Sequence, residues 1–242
     1  MLAVNTTRKE KAVKKHGKKY REAIKELDLK KTYTPEEAIA ILKKIQVTKF
    51  DPSLEIHLKL GIDLSKPEQN VRSTVVLPKG TGKTLKILAF VSEKDEKAAK
   101  AAGADFIGLE NMVEKVLKGW LGFDIAIATT EVMPKIAKVA KVLGSRGLMP
   151  NPKVGTVTND VAKTIEEFKK GKIEFRSDSL GGIHTAIGKL SFSESDLMEN
   201  FLKFYRALTA IKPSTLKGIY IKSAHMSSTM GPGIKLDLSK IK

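Results

Sequence analysis

Between Leu54 and Leu60 the chain alternates strictly: apolar Leu54, Ile56, Leu58 and Leu60 are separated by Glu55, His57 and Lys59, and Gly61 follows. A period of two predicts a strand with one buried face, and it leaves acid, imidazole and ammonium on a polar face free to touch something. Upstream, Thr34-Pro35-Glu36-Glu37 reads as a capping box with proline in the first helical turn. Ala38, Ile41, Leu42 and Ile45 then mark one buried side of a helix running to about Gln46. Leu197, Phe201, Tyr205 and Leu208 stripe a second helix that stops before Pro213. Further strands are predicted at residues 71–77, 172–176, 184–190 and 219–227, giving two helices on one antiparallel sheet.

The rhythm changes over residues 82–170. Short apolar runs at LKILAFV (85–91), ADFIG (104–108) and FDIAIATT (123–130) alternate with helical segments at 94–102, 111–120, 135–143 and 161–170, two of them closed by Gly103 and Gly144. That alternation predicts a mostly parallel sheet with helices on both faces, a small doubly wound, Rossmann-like unit. Each flank alone has too few strands, whereas the middle makes a complete unit. The expected organisation is therefore a split α+β domain built from residues 1–80 and 172–242, carrying an inserted β/α domain at 81–171.

Composition adds a partner. With 242 residues and 41% hydrophobic content the chain can bury a sizeable core, and 44 Lys+Arg against 27 Asp+Glu leave a formal charge of +17. Such an excess favours a polyanion, nucleic acid above all. Residues 81–171 carry 15 basic and 11 acidic side chains against 29 and 16 on the flanks, so RNA binding is expected of the flanking domain. No apolar run approaches the roughly 18 residues of a membrane span, and the N-terminus lacks an apolar signal core, so a cytoplasmic protein with no membrane partner is expected. There is no cysteine, and His16, His57, His184 and His225 are too far apart for a local metal motif, so neither metal nor cofactor is expected.

One stretch argues for another chemistry. LPKGTGKT, residues 77–84, ends like a phosphate-binding loop, which needs G-x-x-x-x-G-K-[ST] between a strand and a helix. Leu77 stands where the first glycine belongs, and the residues after Thr84 read as a strand. A nucleotide-dependent enzyme using the inserted unit is therefore the rival reading, and ATP binding is not expected. Gly80, Gly82 and, at the second crossing, Gly171 suit either a hinge or simple turn geometry. Phe50 beside Lys49 is either a stacking ring next to a phosphate contact or a core side chain. SSTMGPG, residues 227–233, is either a surface for close approach to a sugar-phosphate backbone or an ordinary turn.

Taken in order, KFDPSLEIHLKLGID, QNVRSTVVLPKGTGK, AGAD, GW, FD, GLMPNPKVGTV, KIEFRSD, GGIHTAIGK and STMGPG cover nearly the whole chain, and in them it resembles the large-subunit ribosomal protein L-one family. The resemblance implies a non-catalytic, two-domain binder of large-subunit ribosomal RNA at the mobile stalk beside the tRNA exit site, ribosome-bound and a monomer when free. Exit-site tRNA is an implied partner, and bacterial members also resemble repressors of their own messenger RNA. Carried over by position, the RNA contact surface falls on Lys49, Phe50, Ser53, Glu55, Lys59, Arg176, His184, Ser223, Thr229, Met230 and Gly231. GLMPNPKVGTV, residues 147–157, is either a loop near RNA or tRNA or a structured Pro/Gly loop. The Lys-rich extension through Lys19 is less typical of the family.

Overall fold

The computed structural model describes residues 17–25, 27, 28 and 31–239; residues 1–16 of the Lys-rich extension, with His16, lie outside the described residues. The chain begins with α1 (Lys18–Lys25) and α2 (Pro35–Lys44), followed by β1 (Ser53–Leu60) and β2 (Arg72–Val76). The capping box forms: Thr34 Oγ1 accepts from the Glu37 N–H at 3.3 Å, and Glu37 Oε2 accepts from the Thr34 N–H at 3.1 Å. Two otherwise unpaired N-terminal donors are thereby satisfied. The buried side of α2 is Pro35, Ala38, Ile39 and Leu42, an i, i+3, i+4, i+7 ridge, so Ile39 takes the place expected for Ile41.

The middle of the chain forms β3 (Ile87–Phe90), α3 (Glu93–Ala101), β4 (Phe106–Ile107), α4 (Glu110–Leu117), β5 (Ile125–Ala128), α5 (Met133–Ile136), α6 (Ala140–Ser145) and α7 (Val161–Lys169). Its three strands make a parallel sheet in the order β4-β3-β5. Both faces of β3 are covered. Leu88 and Phe90 pack with Val116, Ile136 and Leu143, whereas Ile87, Ala89 and Val91 pack with Ala99, Ile165 and Phe168. A strand buried on both sides must be apolar at every position, which is why LKILAFV does not alternate. The single helix expected at 135–143 is instead α5 and α6 joined by a 3₁₀ turn at Ala137–Val139. Gly144 lies inside α6, and the chain reverses at Gly147, whose φ of 71° lies in the left-handed region that favours glycine.

The chain then returns through β6 (Lys172–Arg176), β7 (Gly182–Lys189), α8 (Glu194–Ala210), β8 (Ile221–Ser228) and β9 (Gly233–Lys235). Four antiparallel strands pair in the order β7-β1-β8-β9, while β2 and β6 form a separate two-stranded sheet, not part of the one sheet expected. The reason lies in the turn between β6 and β7. Asp178 Oδ1 accepts from the Leu180 and Gly182 N–H groups, and only the single bridge Ser177–Ile183 links the two ladders, so pairing does not propagate. On α8 the buried ridge is Leu197, Asn200, Phe201, Phe204 and Leu208; Phe204 takes the place expected for Tyr205. The apolar face of β1 packs with Leu42, Phe201 and Leu208 in a core made of flanking residues and separate from the two clusters of the middle.

Candidate nucleic-acid interface

Because β1 buries its even positions, its odd positions define an opposite face, and strand register says what joins them. Glu55 lies between Ala186 and Ser227, His57 between His184 and His225, and Lys59 between Gly182 and Ser223. Lys189 stands opposite Ser53, and Lys235 stands opposite His225. Five of the residues expected from sequence, Ser53, Glu55, Lys59, His184 and Ser223, thus share one polar face. Sequence reasoning left out His57, His225, Ser227, Lys189 and Lys235 on the same face. The alternation of β1 signalled His57 and the SSTMGPG stretch included Ser227; the other three became visible only through register.

The other expected residues gather at the rim. Thr229 is fastened to the start of β1: its N–H donates to the Ser53 carbonyl at 3.0 Å, and its Oγ1 accepts from the Ser53 N–H at 3.1 Å. Met230 follows with φ 64°, the one positive-φ non-glycine among the described residues, and its side chain is 73% exposed. Holding a non-glycine residue in that region costs on the order of 1–3 kcal/mol of backbone strain. A Cβ on Gly231 would stand 2.2 Å from Ser228 Oγ, so a side chain there would displace that hydroxyl. Phe50, just before β1, is 57% exposed and not a core residue. Two hydrogen bonds to its carbonyl, from Gln46 Nε2 and Thr48 Oγ1, fix its loop. Lys49 beside it is exposed. Arg176 stands off the sheet, at the end of β6, bordering a small cavity with Asp178 and His184.

Electrostatics on the face centre on histidine. His57 Nδ1 lies 2.8 Å from His184 Nδ1, and His184 Nε2 lies 3.3 Å from Asp178 Oδ2. Burial holds the His57 ring below its ordinary 6.5, and His184 adds to this while Glu55 opposes it. Hydrogen bonds from the Gly182 and Leu180 N–H groups hold the Asp178 carboxyl below the usual range. Among the described residues no group of three His, Cys, Asp or Glu side chains is placed to hold a metal ion, and no helix is long and apolar enough to cross a membrane.

The two crossings between flanks and middle touch. Gly80, Gly82 and Gly171 all have positive φ, at 67°, 70° and 103°. Fully buried Asn200 holds the first crossing, accepting from the Lys79 N–H at 3.1 Å and donating to the carbonyls of Gly80 and Ile187 at 3.0 and 2.8 Å. Lys83 Nζ pairs with Asp124 Oδ1 at 2.5 Å. Residues 147–157 form a structured loop in which Asn151 caps a 3₁₀ turn at Pro152–Val154 that packs against β2. A cavity of about 360 Å³ separates this loop from the start of β1.

Fold and surface define a class first: a mixed α/β protein with an antiparallel sheet backed by two helices, a small parallel sheet between helix layers, and a polar, lysine- and histidine-bearing sheet face. The chain belongs to the Ribosomal protein L1p/L10e family, whose family model matches residues 42–232. It is 49% identical over 223 residues to the large ribosomal subunit protein uL1 of Aster yellows witches'-broom phytoplasma (strain AYWB), covering 92% of this chain and 97% of that protein. The protein of the same name from Onion yellows phytoplasma (strain OY-M) is 48% identical with the same coverage.

Proposed function

We propose that this chain is a structural constituent of the large ribosomal subunit, ribosome-bound in the cytoplasm, that grips ribosomal RNA at the mobile stalk near the tRNA exit site. Residues 1–80 and 172–242 form the RNA-binding domain, and 81–171 an inserted domain that swings about Gly80, Gly82 and Gly171 as deacylated tRNA leaves. The same surface holds the protein's own messenger RNA when it represses its translation. One observation carries the reading: in a chain matched nearly end to end by large-subunit proteins, exposed Phe50 just precedes β1, strained Met230 follows the Thr229 that is bonded to Ser53, and Lys189 stands opposite Ser53. Ring and thioether supply close-packed contact, and lysines supply phosphate neutralisation. The test compares binding of the stalk segment of large-subunit ribosomal RNA with a scrambled duplex of equal length. Strong preference for the stalk is expected, and equal binding overturns the reading. A chain with 81–171 replaced by a short Gly/Ser linker should fold and keep most of that affinity; loss of binding with the fold intact would put the inserted domain in the principal site.

A further inference from the structure

Four side chains on the open face form a single hydrogen-bonded chain. Ser227 Oγ lies 3.0 Å from His57 Nε2, His57 Nδ1 lies 2.8 Å from His184 Nδ1, and His184 Nε2 lies 3.3 Å from Asp178 Oδ2. An ionised carboxylate only accepts, so His184 carries its hydrogen on Nε2 and accepts at Nδ1. His57 must then donate from Nδ1, and its Nε2 accepts from the Ser227 hydroxyl. One further proton fits at His57 Nε2, where the serine oxygen can turn to accept and Glu55 Oε2 stands 3.8 Å away. A second does not, because both Nδ1 atoms would carry hydrogens across a 2.8 Å contact.

We propose that the His57–His184 pair takes up one proton when RNA docks on the sheet face, making a proton the co-ligand of the RNA. The inference rests on the RNA-binding reading of that face. The charges around the pair come from every neighbouring strand: Glu55 and Lys59 on β1, Lys189 on β7, His225 on β8, Lys235 opposite His225 on β9, and Asp178 and Arg176 at the β6–β7 turn. In the free protein the largest influence on His57 is burial, which disfavours the imidazolium, and His184 and His225 act the same way. An approaching phosphate backbone favours the charged ring and shifts that balance. The sign follows from linkage. RNA binds the protonated pair more tightly, so affinity rises as pH falls through the range in which the RNA-bound pair titrates, by at most about tenfold per pH unit for one proton, and levels off once the free pair, with His57 held below 6.5, is itself protonated.

The experiment is titration calorimetry of the full chain with the stalk RNA segment at pH 6.5 and constant ionic strength, in two buffers of different ionisation heat. Uptake of a substantial fraction of one proton is expected. His57→Gln and His184→Gln should each abolish it. Independently of any variant, the imidazole resonances of His57 in the wild-type protein should titrate at higher pH with RNA bound than without. High-affinity binding with no proton uptake, uptake surviving in both His57→Gln and His184→Gln, or an unshifted His57 titration overturns the inference and leaves the RNA-binding reading standing. Equal binding of stalk RNA and scrambled duplex instead overturns both.

Discussion

Gly80 and Gly171 lie back to back where the two crossings meet: a Cβ on Gly171 would stand 2.4 Å from Gly80 Cα, and the Leu77 N–H donates to the Gly171 carbonyl at 3.1 Å. No side chain fits between them. Gly171→Ala must push the crossings apart at a φ of 103° that L-residues rarely adopt. A loss of on the order of 2 kcal/mol in urea unfolding is expected, with an altered distance between labels on the two halves. In the wild-type protein those labels should report a broad distribution; a narrow one, unchanged by RNA, removes the hinge.

Asn200 decides how firmly the first crossing is held. Asn200→Ala strips partners from the Lys79 N–H and from two carbonyls around a fully buried side chain. A cost of about 3 kcal/mol is expected, because buried polar groups left without partners pay desolvation in full. Urea midpoints of the two proteins check this, and a change below about 0.5 kcal/mol would mean that water replaces the amide.

Specific RNA affinity should depend on the rim. Phe50→Ala and Thr229→Val are each expected to weaken stalk-RNA binding by about 1–3 kcal/mol, whereas Lys18→Ala should mainly flatten the salt dependence. Lys14, a second lysine of the same extension, lies outside the described residues. Wild-type binding by both rim variants would move the surface elsewhere.

LPKGTGKT has Leu77 where a phosphate loop needs its first glycine, β3 and not a helix follows it, and its Lys83 pairs with Asp124. No saturable ATP binding at micromolar concentration is expected, by equilibrium dialysis. Binding that disappears in Lys83→Ala would restore the enzyme reading.

Acid should expose the same ion pair. The Lys83 hydrogen bond first, then the Lys86 N–H, hold the Asp124 carboxyl below its ordinary 3.8. A depressed carboxyl stabilises the fold above the unfolded value, and that stabilisation is lost as pH falls below 3.8 through the folded value. Wild-type stability should therefore decline more between pH 4.5 and 2.5 than that of Asp124→Asn, as read from urea midpoints; parallel declines would show the pair contributes nothing.

Local pattern alone was enough for the two kinds of sheet and for most elements, though not for α1, β9 or the break between α5 and α6. Alternation exposed the two faces of β1, continuous apolar runs marked β3 and β5 as buried on both sides, and Thr34 with Glu37 announced the start of α2. The order of motifs was enough for the family. Sequence could not centre the stripe on α8, because Asn200 is polar yet fully buried, its amide satisfied by the backbone of Lys79, Gly80 and Ile187. Nor could it separate the β2–β6 pair from the main sheet, since ladder ends depend on a turn that stops pairing. His57 and His184 are 127 positions apart, and only antiparallel register brings their Nδ1 atoms to 2.8 Å. Side-chain period is a local property of the backbone, whereas register and contact between distant strands are settled only when the whole core packs.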